Sequence, residues 1–385
     1  MLFAIPEQYQ KTREAVRSFV QNELEPYAEQ VEEENRIPDH LLAKMKAKGF
    51  FGLTIPKAYG GGGMSKLEFC MVEEELSKTH FAFLDIISLN NGLGSKSIVL
   101  DGSEPIKHKY LPRLATGELI SAFSLTEPNA GSDAASITTA AVPGADGFIL
   151  NGMKHFITNA PIADIFVVIA VTDPQKGARG GISAFVVERG APGLSIGHVH
   201  NSMGMRGSHK SEVIFKDTPV PEENLIGELG SGFATAMKTV DDGRLAVAAT
   251  SLGMAVRILE ETITHAQTCQ RSGKPLAASQ SIQWLLADMG TEIYAARNMI
   301  YTTAAAMDRG EPVTMQVAMC KLFASEMVNR NVARAMEIMG KDAYRRGQVV
   351  ERMCRDARIL TIFEGTAEIH RIIIGRQLLK GGRPA

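Results

Sequence analysis

From Gly232 onward the chain keeps a helical period almost without interruption, and this limits the possible folds more than any other feature. Leu245, Leu252, Val256, Leu259 and Ile263 recur on one helix face, and Ile282, Leu286, Met289, Ile293 and Ile300 on a second. Met315, Met319 and Leu322 begin a third, and Ile359 to Leu379 holds a fourth. Four long amphipathic helices must bury their stripes against one another, which predicts a bundle. The methionines on these faces read as flexible core filler rather than a sulfur site.

Two other textures precede the bundle. Between Glu7 and about Leu119 apolar residues again fall at helical spacing, in Ala15, Phe19, Val20 and Leu24, and in Leu41, Leu42, Met45 and Phe50, until Pro56 and Gly60 to Gly63 interrupt them. From Ile120 to about Gly230 short β-favouring segments take over: Gly147 to Leu150, Phe166 to Val171, Ile182 to Val187 and Glu212 to Phe215, separated by Gly, Pro, Asn and Asp turns. The expected fold is α+β: an N-terminal helical domain over 1–119, a mostly antiparallel β-domain of barrel or sandwich type over 120–232, and a C-terminal four-helix bundle over 233–385. A length of 385 residues suits several packed regions with a cleft where they meet.

Composition removes several function classes. A net charge of -2 offers no electrostatic case for nucleic acid or an anionic membrane. Cys70, Cys269, Cys320 and Cys354 lack metal-ligand spacing, so reduced thiols and no zinc are expected, in a cytoplasmic protein. No apolar run approaches membrane-spanning length. There is no GxGxxG or P-loop pattern, which disfavours a nicotinamide or nucleoside triphosphate enzyme.

One carboxylate stands out: Glu364, set between the apolar run Thr361-Ile362-Phe363 and Gly365. Apolar surroundings destabilise the charged form, raise the pKa and suit a base acting on a weakly acidic carbon. On composition alone, an acid before glycine is more often an exposed helix-end residue, since acids are mostly exposed. Phe123 to Asp133 is rich in hydroxyls and turn residues that could meet a phosphate or the polar edge of a ring, though any turn uses the same residues. Lys154 to Asn159 puts an aromatic and a hydroxyl on a neighbouring strand, with His155 read as a surface or structural histidine without a partner. Gly204 to Ser208 reads as a strand connection, and Asp241-Asp242-Gly243-Arg244 as the lead into a helix whose N-terminus suits its acids.

Taken together, Ile55-Pro56 with Tyr59 to Gly62, Thr126-Glu127-Pro128 with Ala130 to Asp133, Phe156 to Asn159, Gly204 to Ser208, Arg355 to Arg358, and Ile362 to Thr366 with Glu368-Ile369 resemble the acyl-CoA dehydrogenases over essentially the full length. The resemblance implies an FAD enzyme of fatty acid metabolism that oxidises an acyl-CoA thioester to its trans-2-enoyl form. Glu364 would take the α-proton, its own backbone N–H would help hold the thioester carbonyl, and hydride would pass to flavin N5. Electrons would go on to an electron-transfer flavoprotein, and a homotetramer or homodimer is implied. Phe123, Leu125, Thr126, Gly131 and Ser132 would line the flavin, and Phe156, Ile157 and Thr158 would cover its other side. Gln280, Thr366 and Glu368 match further FAD contacts. Ser132, Asp241, Arg244 and Gly365 would meet substrate. At the alternative position for a base, just before Arg244, stands Gly243, which cannot ionise.

Two departures matter. The family's Arg-x-x-Phe-Gly, whose arginine reaches a neighbouring subunit's FAD, reads Cys269-Gln270-Arg271-Ser272-Gly273-Lys274, leaving Arg271, or else Lys274, as the substitute. The family's glycine-rich stretch before the last helix is Glu337 to Ala343. These leave open a flavin-poor, non-catalytic binding partner. Asn159 to Val167 resembles the loop of relatives acting on carrier-protein thioesters, so the same dehydrogenation on a tethered acyl or aminoacyl group is a second alternative.

Overall fold

The computed structural model describes residues 5–381, so the outermost ends of the first and third expected domains lie outside the described residues. Seven helices come first: α1 (Glu7–Phe19), α2 (Ala28–Glu34), α3 (Asp39–Ala47), α4 (Lys66–Leu76), α5 (Phe81–Asn91), α6 (Leu93–Asp101) and α7 (Glu104–Thr116). Their starts follow local chemistry: Ser65 caps α4 by accepting from Glu68 N, and Ser103 caps α7 by accepting from Ile106 N. The strands are β1 (Ser121–Ser124), β2 (Ala140–Gly144), β3 (Gly147–Thr158), β4 (Ile165–Val171), β5 (Ile182–Glu188), β6 (Leu194–Val199), β7 (Lys210–Pro221) and β8 (Leu225–Ile226). Then come α8 (Gly232–Thr268), the short hairpin β9 (Gln270–Arg271) and β10 (Lys274–Pro275), α9 (Gln280–Asp308), α10 (Thr314–Met339), α11 (Val349–Ala357) and α12 (Ala367–Leu379).

The central sheet runs β6-β7-β3-β2-β4-β5-β8, with β1 parallel beside β4, so its path has two ends and does not close into a barrel among the described residues. Most pairs are antiparallel, as expected. β4 explains why its sequence is an unbroken apolar run. Ile165, Val167 and Ile169 face the core shared with α7, while Phe166, Val168 and Ala170 face a second core with Phe185, Val213 and Phe215.

α8 ties the molecule together. Its 37 residues span about 55 Å, and its middle is buried on all sides. Small residues in Leu245-Ala246-Val247-Ala248-Ala249 and Gly253 let α4 come close, and Leu245, Leu252, Met289, Ile300, Ala324 and Met327 join Leu67, Phe69 and Met71 in one core. One expectation fails here and another is narrowed. The acids at 241–242 do not precede α8 but lie inside it, because Phe233, Ala236, Met237 and Val240 form their own stripe against the sheet and carry the helix back to Gly232. The fourth bundle helix, expected somewhere within Ile359 to Leu379, is α12; it starts only at Ala367, because Glu364 and Gly365 take φ of 53° and 96°, which no helix accommodates. The chain there is α11, a single 3-10 turn over Arg358–Thr361, the Glu364 turn, and α12.

Buried charges cross-link the helical regions. Glu74 and Glu75 on α4 are fully buried. Arg13 Nη2 and Arg297 Nη2 bond Glu74 at 2.9 and 2.7 Å, and Arg13 Nε bonds Glu75 at 2.7 Å. Burial pushes the Glu75 carboxyl up, but Arg17, Lys78 and Arg13 outweigh it and hold it at about 2.

Candidate active site

The Glu364 turn lies between α10 and α8. Lys321 Nζ, from the buried face of α10, donates to Gly365 O at 2.7 Å, and Arg244 Nε, from α8, donates to Glu364 O at 3.1 Å. Thr366 caps α12 by accepting from Ile369 N. Both carbonyls of the turn are therefore held by cations, while no protein acceptor among the described residues takes the Glu364 backbone N–H. Glu364 is half-buried as a residue, yet its Oε2 is enclosed and lacks a hydrogen-bond partner. Burial raises its pKa from the ordinary carboxylate value to about 7, against the pull of Lys321 and Arg244 and with help from Asp242 and Asp85.

Gly243 lies under that carboxylate: a Cβ there would sit 2.4 Å from Glu364 Oε2. Asp241 pairs with Arg244 one turn along α8, and burial raises its pKa against that pairing. Asp242 points the other way, to Lys66 Nζ at 2.6 Å and Lys96 Nζ at 3.2 Å. Gly365, Thr366 and Glu368 share the neighbourhood, and Thr366 and Glu368 line an open depression with Arg330, Arg358 and Ile362.

Sequence reasoning missed Lys321 and His370. His370 is fully buried, neither ring nitrogen has a partner, and burial with Lys321 and Arg244 nearby lowers its pKa to about 3. The available signal was a lysine among the apolar residues of α10; nothing marked His370.

The loop expected to meet the flavin follows β1. Phe123 is in the core, Leu125 and Thr126 are half-buried, and Gly131 and Ser132 are exposed. Its shape rests on an enclosed ion pair: Lys154 Nζ donates to Glu127 Oε1 at 2.7 Å and to Leu125 O at 3.1 Å. Glu127 also accepts from Thr138 N at 2.7 Å and Thr139 N at 2.9 Å. Burial pushes this carboxyl up, but Lys154 and those donors hold it at about 2. On β3, His155 N donates to Thr126 O at 2.8 Å, which joins the two expected flavin segments. Beside them Phe156 is 57 % exposed and Thr158 half-buried, whereas the Ile157 side chain belongs to the core beneath. An exposed aromatic flanked by half-buried hydroxyls fits a flat polar-edged ring such as the flavin. Contrary to expectation, His155 has partners, in His200 and Glu212.

Gly204 to Ser208 does more than connect strands. Met205 N donates to Asp356 Oδ1 at 2.5 Å, Arg206 Nε to Glu32 O at 2.7 Å, and Ser208 to Asp85, so this loop ties α2, α5 and α11 to the sheet. Arg271 and Gln280 are not brought together with Glu364. Both are exposed at the far end of α8, which rises about 38 Å from Gly243 to Thr268.

Comparison with known proteins completes the picture. Models of the acyl-CoA dehydrogenase N-terminal, middle and C-terminal domains match residues 6–118, 122–218 and 230–379. The caffeyl-CoA reductase-Etf complex subunit CarC of Acetobacterium woodii is 40% identical over 375 residues, 97% of this chain and 99% of that one. Butyryl-CoA dehydrogenase from Megasphaera elsdenii superposes with a TM-score of 0.95 at 37% identity, covering 98% of this chain and 100% of that one. The FAD complex of PigA superposes with a TM-score of 0.95 at 31% identity over 99% of this chain and 100% of that one.

Proposed function

The chain belongs to the acyl-CoA dehydrogenase family, and from that membership we propose that Glu364 is the base of its reaction. The activity is FAD-dependent α,β-dehydrogenation of an acyl-CoA thioester. The observation that carries the role of Glu364 is its enclosed, unpartnered Oε2 with a pKa raised to about 7. An α-proton beside a thioester is a poor acid, so a base matched to neutral pH removes it with the least penalty. Bound FAD supplies the acceptor for the hydride that leaves the β-carbon. The Glu364 N–H is free to donate to the thioester oxygen as enolate charge develops. Lys321 and Arg244 keep the turn in position by its carbonyls, and neutral His370 adds no competing charge.

The same carboxyl, protonated, would return the proton in the reducing direction that the name of CarC describes. We take an electron-transfer flavoprotein as the redox partner, supported by that relative. Because Arg271 and Gln280 stand far from Glu364 within one chain, their FAD contacts require a second copy, in a homotetramer or homodimer. The exposed Trp284 and Tyr294 on α9 support such a contact. No helix among the described residues is long and apolar enough to cross a membrane. We assign the protein to the cytoplasm on its four free cysteines. The loop Asn159 to Val167, which suggests a tethered acyl group, is largely taken up by structure: Arg189 Nη2 bonds Ala160 O at 2.5 Å, and Asp164 Oδ2 accepts from Ile120 N at 2.8 Å.

The test is anaerobic titration of the yellow holoenzyme with acyl-CoA thioesters across pH. Glu364 works as the carboxylate and its pKa is raised, so the rate of flavin bleaching should rise through about pH 7 and level off above it. A rate already flat from pH 5 upward would contradict this. In Gly243→Ala the new Cβ would press on the carboxylate from 2.4 Å. A displacement of about an ångström should lower kcat by about 10²-fold with flavin content unchanged. Wild-type turnover in that variant would remove Gly243 from the argument.

A further inference from the structure

Glu212 stands in β7 with an irregularity on each side. On one flank β3 pairs Lys154 with Val213 and Ile157 with Ser211, so His155 and Phe156 together oppose Glu212 in a bulge, where Phe156 takes φ 54°. On the other flank β6 pairs Ile196 with Val213 and Val199 with Ser211, leaving Gly197 and His198 opposite the same residue. Bulges re-aim side chains: the first turns His155 toward this carboxylate, and His200, just past the end of β6, comes beside them. His155 Nε2 lies 3.9 Å from Glu212 Oε1, and the His155 and His200 rings meet edge to face at 4.7 Å. One ligand atom from each of His155, His200 and Glu212 lies within 4.8 Å of the other two.

The surroundings are organised around this group. His155 N donates to Thr126 O and His200 N to Lys210 O, each at 2.8 Å, which fixes both backbones. His198 N donates to Glu212 Oε2 at 3.1 Å and leaves Oε1 for the histidines. Gly197 makes room, since a Cβ there would sit 2.5 Å from Glu212 Oε2. His200 Nε2 is enclosed without a hydrogen-bond partner, so it is not committed to another group. The nearby lysines are engaged elsewhere: Lys154 with Glu127 and Lys210 with Asp85.

We propose that His155, His200 and Glu212 bind a divalent transition-metal ion of the zinc class, with a fourth position open to water or a small ligand. Two imidazoles and one carboxylate form a donor set that suits such an ion. Ligand atoms around a tetrahedral zinc lie about 3.3 Å apart, so side-chain rotations of about an ångström close the site. The ion would also pin Phe156, whose ring packs on His155 at 4.1 Å and His200 at 4.5 Å.

Holoenzyme carrying no polyhistidine tag is stripped with EDTA and titrated with Zn2+ by calorimetry and with Co2+ by visible absorbance. One ion per chain and the d–d bands of tetrahedral cobalt are expected. Kd should rise at least about tenfold in each of His155→Ala, His200→Ala and the near-isosteric Glu212→Gln. His198→Ala should weaken binding less than these three, because its ring packs on His200 at 5.2 Å but supplies no ligand atom. Flavin absorbance and melting temperature report that each variant is folded. No uptake by the wild type, or unchanged affinity in both His200→Ala and Glu212→Gln, overturns the site.

Discussion

Glu364→Gln is expected to keep its FAD and its fold while losing about 10⁴-fold in kcat/KM, the upper end of what a positioned base contributes. The amide fills the same space next to Gly243 but cannot accept the α-proton. It also removes an ionisable group from an enclosed position, so the melting temperature should not fall. The decisive measurement is the flavin spectrum under anaerobic acyl-CoA: the variant should stay yellow where wild type bleaches. Full bleaching at the wild-type rate would remove Glu364 from its role, and a colourless variant would point to a structural one.

Lys154→Met should have the largest effect on stability. Lys154 is fully buried, and its partner Glu127 is 5 % exposed. Removing the cation leaves a carboxylate enclosed without its counter-charge, at a cost of about 3–5 kcal/mol. Because Lys154 also bonds Leu125 O, the loop bearing Thr126 should loosen and FAD should dissociate more easily. Denaturant unfolding with flavin release as a second signal measures both. The double variant with Glu127→Gln should recover part of the loss, since the amide oxygen can still accept from Thr138 N or Thr139 N and no charge is stranded. A single variant within about 1 kcal/mol of wild type would show that the pair stabilises nothing.

The buried helical stripes and the two-sided apolar run of β4 were legible because burial on a regular element writes its period into the chain. The start of α8 was misread because Asp241 and Asp242 look like first-turn acids. Asp242 is inside the helix because Lys66 and Lys96, on other helices, neutralise it. The exact start of α12 inside Ile359 to Leu379 also depended on contacts distant in sequence. The positive φ of Glu364 is tolerated because Lys321 and Arg244 hold its carbonyl and the next.

The same division separates the chemistry. Sequence by itself determined the three textures, the family motifs and the identity of Glu364 as a carboxylate among apolar neighbours, since these are properties of residues close together in the chain. Its pKa, the fit of Gly243 beneath it, the neutral His370 and the meeting of His155, His200 and Glu212 were decided only by tertiary structure. Desolvation and charge–charge attraction depend on distances between atoms, and the groups that set them here come from segments scores of residues apart.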